Sequence, residues 1–125
     1  MDKIVHFEIP ADDVERAKKF YSSVFKWDMN TIPSMGYTVI TTGPTDKERI
    51  PKESGFINGG MMKRTNEIRN PIITINVKDI KESIKKIEDA GGENIKTPFE
   101  VGDMGIAAYF EDSEGNIVGL WQNKK

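Results

Sequence analysis

The chain repeats itself at an offset of 66 residues, close to half of its 125. Setting Asp13 on Asp79 places His6 on Ile72, Glu8 on Thr74 and Val14 on Ile80. In each half a stretch rich in β-branched residues precedes the aspartate, and apolar residues at helical spacing follow it. One matching aspartate carries little weight. Agreement of element order, helix cap and apolar register restricts the chain to two copies of one supersecondary unit, about residues 1–66 and 67–125, within a single domain.

Each copy reads as strand, helix, then shorter strands. Lys3 to Pro10 is a strand, and Asp12 or Asp13 caps a helix that carries Val14, Ala17, Tyr21, Val24 and Phe25 on one stripe, with Phe20 alongside. That helix ends near Lys26. Trp27 to Ile32 and Gly36 to Thr42 are extended, residues 43–54 form a polar surface loop, and Gly55 to Lys63 returns as a strand with adjacent glycines. Thr65 to Asn70 is a charged linker. Ile72 to Val77 restarts the pattern, Asp79 opens the second helix and Gly91-Gly92 stops it. Glu93 to Thr97 is a short strand ending before Pro98. Gly105 to Glu111 and Asn116 to Gln122 are two more, joined by the turn Asp112-Ser113-Glu114-Gly115.

Tandem βαβββ units of this kind predict an α+β fold, a curved mixed sheet with its helices outside and a half-open trough on the other side. Strand alternation sends Phe7, Ile9, Ile73, Ile75 and Val77 under the helices. It sends His6, Glu8, Ile72, Thr74 and Asn76 toward the trough. One of Met61 and Met62 must face it, and we assign Met61. Gly119 leaves space on the last strand, and Trp121, two residues on, either supplies a flat wall beside it or is buried in the sheet or at a dimer contact.

Composition narrows the function classes. A net charge of −2, with aromatics not interleaved among basic residues, disfavours nucleic acid and anionic membranes as partners. There is no cysteine, which excludes disulfides, thiolate nucleophiles and iron–sulfur clusters built by this chain. No stretch has the length of a spanning segment or a signal-peptide core, so the expected setting is cytoplasmic.

Three segments carry a resemblance to a known family: H-F-E-I-P-A-D-D from His6 to Asp13, F-Y-x-x-V-F-x-W from Phe20 to Trp27, and D-S-E-G-N-I-V-G-L-W-Q from Asp112 to Gln122. Along nearly its whole length the chain resembles the vicinal-oxygen-chelate superfamily of glyoxalase, bleomycin-resistance and extradiol-dioxygenase proteins, most of all the glyoxalase-like branch ending G-L-W-Q. In metal-dependent members the resemblance implies four ligands. The first falls on His6. The second belongs to the strand with Gly59, Gly60, Met61 and Met62, which offers no hard donor; the third falls on Ile72 and the fourth on Gly119. Only His6 is matched, so no metal or other cofactor is expected. The resemblance also implies a homodimer.

His6, the only histidine, is the candidate for acid–base work near neutral pH, or else a hydrogen-bonded residue without chemistry. Glu8 is placed to orient it or act as a base; its ordinary alternative is a solvated strand carboxylate. Three functions follow as expectations: a small-molecule binding protein lacking the family's metal site, a metal-dependent lyase, isomerase or dioxygenase, and a subunit whose trough is a protein–protein contact.

Overall fold

The computed structural model describes residues 1–124. In chain order the elements are β1 (Lys3–Ala11), α1 (Val14–Phe25), β2 (Asp28–Ile32), β3 (Tyr37–Thr41), β4 (Asn58–Lys63), β5 (Ile72–Asn76), α2 (Ile80–Asp89), β6 (Glu93–Val101), β7 (Gly105–Glu111) and β8 (Ile117–Asn123). This is the βαβββ order twice. The chain divides into two compact units, His6–Pro71 on one hand and Met1–Val5 with the residues from Ile72 onward on the other.

In the His6–Pro71 unit the strands run in the order β2-β3-β4-β1. β1 and β4 are parallel; β3 is antiparallel to both its neighbours. The Asp13 side chain accepts from Arg16 N at 3.0 Å and so caps α1, with Glu15 adding negative charge at the positive end of the helix. Lys26 closes the helix in the left-handed region, φ 63°, its N–H donating to Ser22 O. The core is Ala11, Ile40 and Met61, onto which Phe7, Ile9, Val14, Ala17 and Tyr21 pack. Of the stripe expected on α1, Phe20, Val24 and Phe25 are more than half exposed. Tyr21 instead stacks on Trp27, ring centroids 5.2 Å apart.

The other unit repeats the plan with β5-β8-β7-β6, β5 parallel to β8 and the rest antiparallel. Asp79 caps α2 by accepting from Glu82 N at 3.1 Å, so the two aligned aspartates do the same work. Ile80, one residue on, is fully buried and its N–H donates to Gln122 Oε1 at 2.7 Å. Val77, Ile80, Ala108, Phe110, Val118 and Leu120 form this core. Ile73, expected under the helix, is 45% exposed. β6 does not stop at Pro98: it continues to Val101. It pairs with β7 and its register slips on both sides of Lys96, and a proline lacking its N–H is tolerated in such an irregular edge strand. No helix among the described residues is long and apolar enough to cross a membrane.

Candidate functional site

On β1, Phe7 and Ile9 pack into the core under α1, so alternation turns His6 and Glu8 to the opposite face. Parallel pairing with β4 sets Asn58 beside His6 and Gly60 beside Glu8. Antiparallel pairing with β3 sets Val39 beside Gly60, so Tyr37, Val39 and Thr41 share this face. The adjacent glycines of β4 make room on both sides. A Cβ on Gly59 would stand 2.6 Å from the Phe7 ring, and one on Gly60 only 1.7 Å from Tyr37 Oη. The Tyr37 phenol thus lies across the space that Gly60 leaves empty.

From there it joins the two acid–base candidates. Tyr37 Oη donates to Glu8 Oε2 at 2.9 Å and sits 2.9 Å from His6 Nε2. A phenol has one hydrogen. With Glu8 ionised, that hydrogen goes to its carboxylate and the Nε2–H of His6 donates to the phenol oxygen, which leaves Nδ1 with its lone pair as the acceptor on the ring. No buried side-chain polar atom among the described residues lacks a partner, and Nδ1 makes no hydrogen bond with any of them, so it is not sealed from solvent. Glu8 is 8% exposed. Burial, with the Arg49 cation adding to it, lowers the His6 pKa from 6.5 to about 4, so the ring is neutral at pH 7.

Arg49 reaches this face from the loop between β3 and β4. Asp46 organises the loop: its Oδ1 accepts from Glu48 N and Ile50 N, each at 2.9 Å, and its own N–H donates to Ile50 O. Arg49 is held at φ 69°, and its Nη1 donates to Thr41 Oγ1 at 3.1 Å. Asn58 ties the same loop down, accepting from Thr42 N and donating to Thr45 Oγ1.

Of the residues assigned from sequence, His6 and Glu8 are brought together in this way. Met61 is not at the site. It pairs with Ile9, is wholly buried in the core under α1, and the half-buried Met62 is the methionine that shares a face with Glu8. The remaining candidates lie in the other unit. Thr74 pairs with Gly119 and Asn76 with Trp121. Ile72 and Thr74 are buried, and Thr74 Oγ1 would meet a Cβ on Gly119 at 2.8 Å. The indole of Trp121 lies against Gly105, its Nε1 donating to Asn123 Oδ1 at 2.7 Å. Asn76 borders an open depression of about 380 Å³ with Val5, Lys78 and Gln122. Tyr37 and Arg49 went unassigned in the sequence. The paired glycines were the available signal for Tyr37, since a strand glycine often marks a close approach by another group.

The family's metal does not fit these residues. The expected third and fourth ligand positions hold Ile72 and Gly119, the nitrogen of His6 that faces Tyr37 is already committed, and no cluster of three or more metal-binding side chains exists among the described residues.

Residues 3–43 match the family model for the N-terminal part of bleomycin-resistance-like proteins. A glyoxylase-like domain-containing protein of Didymella fabae is 34% identical over 119 residues, 91% of this chain and 88% of that protein. CFP32 of Mycobacterium bovis, which carries a glyoxylase name, is 31% identical over 120 residues; these span 92% of this chain but only 43% of that relative. Among solved structures, protein BH1468 of Bacillus halodurans superposes with a TM-score of 0.65 at 18% identity, covering 99% of this chain and 96% of its own. Methylmalonyl-CoA epimerase of Streptomyces coelicolor, in complex with 2-nitronate-propionyl-CoA, gives 0.64 at 14% identity, with 98% of each chain covered. These structures share the fold. With the duplicated βαβββ order and the whole-length match to the Didymella protein, the chain belongs to the glyoxalase-like proteins of the vicinal-oxygen-chelate superfamily.

Proposed function

We propose that this chain binds a small organic molecule on the face of its first βαβββ unit that carries His6, Tyr37 and Glu8, without using the metal site of its family. The observation that carries this reading is the hydrogen-bonded chain from Glu8 through Tyr37 to His6. It holds a neutral imidazole in one tautomer with an accepting nitrogen outward, on a strand face shared with the half-buried Val39 and Met62. A polar contact point fixed by a part-buried network beside apolar side chains is what a small-molecule site requires. The ligand-bound epimerase of the same fold supports it. The lyase, isomerase or dioxygenase reading lacks a donor set for the metal it needs.

The test is a broad metabolite panel screened by thermal shift, with binders followed through the His6 ring resonances. Binders should perturb those resonances and lose at least tenfold in affinity in His6→Ala and Tyr37→Phe. A panel that neither shifts the melting temperature nor moves the His6 signals would remove the proposal. The homodimer implied by the resemblance belongs to the same proposal, and sedimentation showing only monomer at micromolar concentration would strike it out.

A further inference from the structure

The loop between β3 and β4 places one cation at the His6 face. Arg49 is exposed and forms no ion pair among the described residues; its backbone N–H donates to Asp46 O, and its one side-chain hydrogen bond among them, through Nη1, is to Thr41, which shares the face of Tyr37. That bond holds the guanidinium by one nitrogen and leaves Nε and Nη2 without a hydrogen bond among the described residues. The backbone beneath it is in the left-handed region, where an arginine is disfavoured and glycine would be relaxed. Four hydrogen bonds made by Asp46, one of them accepted by its carbonyl from the Arg49 N–H, nevertheless hold it there. A sequence optimised for the turn alone would not put arginine at this position.

We propose that Arg49 selects a small organic acid, taking its single carboxylate on the open edge of the guanidinium while an O–H or N–H of the same molecule donates to His6 Nδ1. This deepens the reading above and rests on it. The fork geometry of arginine matches a carboxylate with two parallel bonds. A phosphate dianion is a poorer match, because among the described residues Arg49 is the only cation whose field is felt at His6, and the Glu8 carboxyl lies on the same face. The neutral imidazole adds no positive charge, so the donor on the ligand meets a lone pair.

The experiment pairs carboxylic acids, aliphatic and ring-bearing, with and without a 2-hydroxyl, against their primary amides. Affinities are read by thermal shift and His6 chemical shift on the full chain and on Arg49→Gln and Arg49→Lys. The acids should bind at least tenfold tighter than their amides. Arg49→Gln should remove that difference while leaving its melting temperature near the wild type's, Arg49→Lys should restore part of it, and removing the 2-hydroxyl should weaken the acids. Amides binding as well as acids, or acids indifferent to Arg49→Gln, would overturn the inference and leave the proposed function standing. No binding by either class, with silent His6 signals, would count against both.

Discussion

Gly60→Ala tests the architecture of the site directly. The new Cβ would lie 1.7, 2.0 and 2.3 Å from Oη, Cζ and Cε2 of Tyr37, and ordinary contact begins near 3.4 Å. The phenol oxygen must therefore retreat by about 1.7 Å, which breaks both of its 2.9 Å hydrogen bonds. The bond to the Glu8 carboxylate is worth about 1.5–3 kcal/mol and the one to neutral His6 about 0.5–1.5. Replacing a strand glycine by alanine returns about 0.5–1 kcal/mol of backbone entropy. The net loss is about 1–4 kcal/mol, near 2.5, or a fall of about 8–12 °C in the melting temperature of a chain this size. Thermal melts of Gly60→Ala, Tyr37→Ala and the double variant separate the causes. With the phenol gone, the same alanine should be neutral or slightly stabilising. A Gly60→Ala protein as stable as the wild type, or one destabilised equally in both backgrounds, would refute the placement of Tyr37.

Three further predictions concern charge and chelation. His6 has its folded pKa depressed from 6.5 to about 4, so its stabilising contribution is complete above pH 6.5 and is lost as the pH falls through 4, by about 3.4 kcal/mol at most. Melts between pH 7.5 and 5 should therefore slope downward on acidification in the wild type and lie flatter in His6→Asn; parallel profiles would contradict the burial of the ring. Isothermal titration with zinc, nickel or manganese should show no stoichiometric uptake, and Gly119→Glu should not create it, because the added side chain collides with Thr74 and meets no second donor at Ile72; a site filled one-to-one would refute this. Asp112→Ala should lower the midpoint of chemical denaturation. Its Oδ1 accepts from both Glu114 N and Asn116 N, bonds that also hold its carboxyl below the usual range; an unchanged midpoint would show that the turn holds its shape without them.

The fold was legible because its determinants are local. Asp13 and Asp79 announce their helices by cap chemistry, and the alternation of β1 separates Phe7 and Ile9 from His6 and Glu8 without reference to any other strand. The site was legible only in part, because its remaining members are set by register between strands. Met61 and Met62 are equivalent to a reader of the sequence until pairing with Ile9 commits the first to the core. Tyr37 is one aromatic among several until β3 is laid against β4 and its ring falls over Gly60. Arg49 lies in a loop whose polar composition says only that it is solvated, and nothing in Asp46 reveals beforehand that it will bind two backbone N–H groups. Pro98 misled in the other direction, since a proline ends a strand only where its missing donor is needed.

The single hydrogen on Tyr37 makes the outward polarity of His6 hostage to a residue that no ligand has to touch. With a carboxylate at position 8, the phenol must face it hydrogen-first, and the imidazole shows its surroundings a lone pair. An amide at the same place, as in Glu8→Gln, can present N–H instead. The phenol would then turn its hydrogen to Nε2, the ring proton would move to Nδ1, and the same histidine would offer a donor. One isosteric change, two residues away along the strand, would invert the grammar of recognition from accepting to giving. Nitrogen NMR of the two tautomers would read that inversion directly. Relatives that differ at position 8 alone would then be read as proteins for different ligands, though every atom facing the ligand is the same.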